Sequence, residues 1–113
     1  MPITDPTMAS YPFLAGMYAS DYFPDHLVDK GAAILRGLCE RIETQRPADL
    51  PALYALTHAA TEQFNDLQEE FWDAGSEIET AARDCIGLDF ERIAQAYGHA
   101  DADIEELTAP RDW

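Results

Sequence analysis

The sequence predicts an all-α fold, a compact bundle of three long helices with short helices toward the N- and C-terminal ends. Three observations carry this expectation. Apolar residues recur at helical spacings through three long stretches. Helix-starting and helix-stopping residues bracket those stretches. No segment reads well as a strand, and there is no strand–helix alternation, internal repeat or low-complexity tract. A length of 113 residues suits one domain with one core. A 47% hydrophobic fraction with 11% aromatics supplies that core and argues against disorder.

Residues 1–10, MPITDPTMAS, read as a flexible lead-in, since Pro2 and Pro6 oppose regular structure; the helical domain is expected over residues 11–113. Pro12 suits the first turn of a short helix ending near Ser20. Tyr11, Phe13, Leu14, Met17, Tyr18, Tyr22 and Phe23 make this stretch unusually aromatic. Such an apolar load is expected to pack on the bundle, with an exposed recognition patch as the rival.

The first long helix is expected over about residues 25–45, after Pro24, with Asp25 as cap or first-turn acid. Leu27, Ile34, Leu35, Leu38 and Ile42 form its stripe, and Pro47 ends it. Gly31 and Gly37 weaken the helix unless a neighbour approaches closely. The second helix begins at the cap Asp49, with Pro51 in its first turn. Leu53, Leu56, Ala60, Phe64, Leu67 and Phe71 face the core, and Gly75 is its natural stop. Ser76 and Glu79 form a capping-box pattern, so the third helix is expected to start at Ser76 after a very short Gly75–Ser76 link. Ile78, Ala82, Cys85, Ile86, Phe90, Ile93, Ala94 and Tyr97 continue the pattern to Gly98. Asp103 and Glu106 bracket a weaker box before a short helix over about 103–109, which Pro110 stops; Trp113 is expected to dock on the body.

Twenty-two acids against seven Lys plus Arg give a formal charge of −15. That field opposes nucleic acid and anionic membrane, and it suits either simple solvation or a basic protein partner. No apolar run approaches the roughly 18 residues of a membrane span. The beginning of the chain lacks the basic and apolar regions of a signal peptide, so the cytoplasm is the expected location. Cys39 and Cys85 sit among apolar neighbours without CxxC spacing and read as two buried thiols, with a disulfide left open.

No nucleophile elbow, phosphate loop, dinucleotide fingerprint or cofactor signature is present. His58 and Glu62 are neighbours on the second helix and would need a third ligand to hold a metal. The segment HAATE lacks the second histidine of HExxH, so no metal site is assigned. Tyr54, Thr61, Asn65, Gln68 and Trp72, flanked by His58, form an outward strip suited to a binding surface or to a second packed face. Glu69, Glu70, Asp73, Glu77 and Glu79 surround the Gly75 turn as an acidic knob, either solvated or facing a basic partner.

The runs YPFLAGMYASDYFPDHLVDKG, PADLPALYALTHAATEQFNDLQEEF, GSEIETAARDCIGLDFERIAQAYG and DADIEELTAPRDW resemble an uncharacterised bacterial family of small acidic helical proteins, over residues 8–113. The resemblance implies a bacterial, cytoplasmic origin and brings no activity, substrate, cofactor or functional residue. Three functions remain on the residues alone. The first is a non-enzymatic protein-binding domain with a basic partner, in the manner of an immunity protein. The second is a self-associating module, such as a homodimer covered by the aromatic segment. The third is a metal-binding protein or hydrolase using His58 and nearby carboxylates.

Overall fold

The expected stripes become the buried faces of three long helices. The computed structural model describes residues 3–113 and contains, in chain order, α1 (Pro6–Ala9), α2 (Ala15–Tyr18), α3 (Asp25–Gln45), α4 (Leu50–Asp73), α5 (Thr80–Ala96) and α6 (Ile104–Leu107). The protein is therefore an all-α bundle of three long helices flanked by short ones. Its radius of gyration is 13.4 Å, against about 13 Å for a compact chain of this length. Among the described residues, no helix is long and apolar enough to cross a membrane.

Helices α3 and α4 form the main packed pair. Asp49 caps α4 as expected, its Oδ1 accepting from Ala52 N at 2.9 Å. Lys30, early in α3, pairs with Glu70, late in α4, so the two helices run antiparallel. Gly31 is a point of close approach. A Cβ there would lie 2.8 Å from Leu14 Cδ1 and 3.2 Å from Phe64 Cε1. Gly37 has open space around it and gains nothing in packing from lacking a side chain.

Three helix boundaries differ from expectation. Pro6 does not break structure: it occupies the first turn of α1, which Asp5 caps through Met8 N. Met8 is buried, so this part of the expected flexible lead-in is packed; Pro2 lies outside the described residues. Pro12 precedes α2 rather than opening it, because Leu14 adopts a left-handed conformation (φ 58°) that turns the chain before the helix begins. The third long helix starts at Thr80, not Ser76, and the Ser76–Glu79 box does not form.

That last difference has a physical cause. Gly75 (φ 79°) closes α4 with a Schellman turn, Ser76 N donating to Phe71 O and Gly75 N to Trp72 O. The chain then runs non-helically to Glu79. An extended segment alternates its side chains between two faces. Ser76 and Ile78 accordingly point inward and are buried, while Glu77 is exposed and Glu79 half-exposed. Burying Ile78 outweighs the local cap, and Ser76 Oγ is left without a hydrogen-bond partner. Gly98 (φ 87°) repeats the Schellman closure on α5 through His99 N to Ala94 O.

The two α3 glycines predict opposite responses. Gly37→Ala should raise stability by up to about 1 kcal/mol through helix propensity. Gly31→Ala should lower it by about 1–3 kcal/mol, because the fully packed Leu14 and Phe64 must shift. Urea unfolding of both variants checks the pair, and a stabilising Gly31→Ala would contradict the close packing.

Candidate functional site

Helix α4 is buried on two sides. Its apolar stripe, Leu53 to Phe71, faces the core as expected. On the polar strip, five residues hydrogen-bond to the 103–112 segment of the same chain. Tyr54 OH accepts from Asp103 N at 3.0 Å. His58 Nε2 donates to Glu106 O at 2.6 Å, and Thr61 Oγ1 lies 3.4 Å from Leu107 O. Asn65 both donates to Pro110 O and accepts from Asp112 N, each at 3.0 Å. Gln68 Nε2 donates to Asp112 Oδ1 at 2.8 Å. These five positions form a packed seam. Trp72, the sixth strip residue, stands apart and is 52% exposed.

The seam ends at Trp113, 7% exposed, which packs against the Phe64 ring at 6.1 Å with the Arg111 guanidinium 5.6 Å from its own ring. His58 is half-buried and stacks on Tyr54, their ring centroids 6.1 Å apart. Among the described residues, no group of three His, Cys, Asp or Glu side chains converges to hold a metal ion. The His58–Glu62 pair therefore has no third ligand in place.

Two carboxylates missed in the sequence reading hold the N-terminal segment. Asp89, 4% exposed on α5, accepts from Leu14 N at 2.7 Å and from Tyr11 OH at 2.8 Å. Burial pushes its pKa up against the opposing pull of those two donors. Burial and this hydrogen bond push the Tyr11 hydroxyl up to about 12. The signal was present: Asp89 falls between Ile86 and Ile93 on the apolar face of α5, and a lone acid on such a face needs partners. Glu43 on α3 accepts from Thr4 N, Thr4 Oγ1, Asp5 N and Tyr97 OH. Those donors, Tyr97 foremost, hold its carboxyl down at about 2. No spacing rule links Glu43 to Thr4, Asp5 or Tyr97, since all three partners are distant in sequence.

The acidic knob divides by neighbour. Glu70 is paired with Lys30, and Glu69 and Asp73 are exposed on the last turns of α4. Glu77 and Glu79, projected outward by the extended link, line an open groove of about 550 Å³ with Met17, Tyr22, Phe23 and Cys85. Phe23 is buried and Tyr22 exposed, their rings edge to face with centroids 5.1 Å apart. Neither glutamate carboxylate has a partner among the described residues. Both cysteines are free thiols: Cys39 is wholly buried, but Cys85 is half-buried at the groove, which corrects its expected burial. Burial raises both thiols, Cys39 to about 12.

The molecule is thus a small acidic helical bundle whose polar α4 face is filled by its own chain and whose open groove is aromatic with an acidic rim. Over residues 7–113 it matches DUF5713, a family of unknown function, and the chain belongs to that family. No curated protein and no solved structure matches the chain.

Two predictions follow from the seam and from Glu43. Trp113→Ala should destabilise by about 3–5 kcal/mol, the range for losing a buried aromatic. With Trp72→Phe as background, emission from Trp113 alone should be blue-shifted, and red-shifted emission would contradict its burial. The Glu43 carboxyl lies below its ordinary value of 4.5, so its contribution is full above 4.5 and is lost as pH falls toward about 2. Glu43→Gln should therefore cost about 1–3 kcal/mol at neutral pH. In denaturant titrations from pH 7 to pH 2 that difference should shrink below pH 4.5.

Proposed function

We propose that this protein is a non-enzymatic protein-binding domain whose partner is a basic protein. The observation that supports this reading most is charge without internal use. The chain carries −15, and Glu77 and Glu79 stand unpaired at the rim of a groove with aromatic walls. A charge field of this sign accelerates encounter with a positive surface and repels nucleic acid and anionic lipid. Aromatic side chains beside that field supply the short-range contact that charge alone lacks. The strip on α4 is a weaker docking surface for the same partner, since five of its six side chains already bond to the 103–112 segment.

Affinity capture from lysate of the source cell, at low and at moderate salt, tests the reading. The expected outcome is a specific basic protein retained at low salt and weakened as the screening length falls. The Asp73→Lys, Glu77→Lys, Glu79→Lys triple variant should not retain it. If no basic protein is retained under either condition, the reading is wrong.

A further inference from the structure

We infer that the groove between α2 and the 74–79 link is a seat for one basic side chain, an arginine or lysine, presented by a partner peptide with an apolar neighbour; this rests on the basic-partner reading above. The two halves of the groove divide the work. Glu77 and Glu79 stand at its edge with no partner among the described residues, so an incoming guanidinium or ammonium meets unspent carboxylates. Tyr22, 46% exposed, offers ring surface to the same cation, and the buried Phe23 backs it edge to face. Gly16, Ala81 and Cys85, with the edges of the buried Met17 and Phe23 behind them, line the groove for the aliphatic stem of the side chain and for its apolar neighbour. A volume of about 550 Å³ falls within the roughly 300–1,000 Å³ typical of ligand sites.

Charge complementarity decides the occupant. An acidic ligand would meet two carboxylates at the rim, and a purely apolar one would leave them desolvated without compensation. The groove also carries its own reporter. Cys85 lines it, whereas Cys39 is 0% exposed in the core and serves as a silent reference.

The test is alkylation of the folded full chain with a maleimide, followed by intact and peptide mass, with an acetylated, amidated peptide of alternating leucine and arginine present or absent. The expected result is that the peptide slows Cys85 modification in a salt-sensitive way and leaves Cys39 unmodified. Peptides of alternating leucine and glutamate, or of glycine and arginine, should protect less. Glu77→Gln with Glu79→Gln should weaken the leucine–arginine peptide about three- to tenfold, the scale of two exposed charge pairs. These rim carboxylates make no hydrogen bond or ion pair among the described residues, so the variant should fold normally, and circular dichroism confirms that before binding is read. Equal protection by the glycine–arginine peptide, or none by leucine–arginine, would overturn the groove. If the captured basic partner still binds the double variant with unchanged affinity, the groove is likewise excluded while the basic-partner reading stands. If the peptide protects Cys85 but no basic protein is captured, the groove stands as a cation-binding seat and the broader reading fails.

Discussion

The backbone N–H and C=O groups of an irregular segment need partners, and this fold supplies many of them with polar side chains projecting from its long helices. Glu43 on α3 takes the amides of Thr4 and Asp5. Asp89 on α5 takes the amide of Leu14. Tyr54, His58 and Asn65 on α4 take Asp103 N, Glu106 O, Pro110 O and Asp112 N. The helical frame stands on its apolar stripes, but the terminal segments are placed by these bonds. Placing them brings Phe13, Leu14, Met17, Leu107 and Trp113 into the core.

The same bonds explain which parts of the molecule were legible in the sequence. The α4 cap and the stripes of α3 and α4 follow local rules, because they depend on periodicity or on residues three or four apart. The start of α5 does not follow its local signal. Its capping pattern is a local signal, whereas the burial of Ile78 that overrides it depends on a core assembled from distant residues. Asp89 and Glu43 are long-range in the same sense. Of the candidate surfaces, the α4 strip was found as a face, but its neighbour, some 40 or more residues further on, could not be read from spacing. The acidic knob was found as composition. That two of its members meet Tyr22 and Cys85 depends on the extended path of the link, which the capping pattern concealed.

The acids fall into two physical groups. Asp5, Asp49 and Asp103 cap helices, and Glu43 and Asp89 hold irregular backbone. These carboxylates are built into the fold. Glu43 and Asp89 nevertheless shift in opposite directions. Glu43 has several donors and modest burial, so hydrogen bonding wins and its carboxyl is lowered. Asp89 has two donors deep in the core, so desolvation wins and its carboxyl is raised. Glu77 and Glu79 belong to the other group, with no structural bond to make.

This division separates the two candidate surfaces. A partner at the α4 strip would have to displace the 103–112 segment, remove Trp113 from Phe64 and replace five sets of hydrogen bonds at once. Thr61 and Gln68 are buried there, and a buried polar group left unpaired costs about 1–3 kcal/mol until it is satisfied again. Nothing has to be vacated at the groove, whose walls are already formed by the α2 segment that Asp89 anchors through Leu14, by Tyr22 and Phe23, by Glu77 and Glu79 of the link and by Ala81 and Cys85 of α5. A preformed surface keeps more of its contact energy as affinity. The internal bonds that complete the fold therefore also decide where it remains open, and they leave the groove at the acidic link as the surface with chemistry to spare.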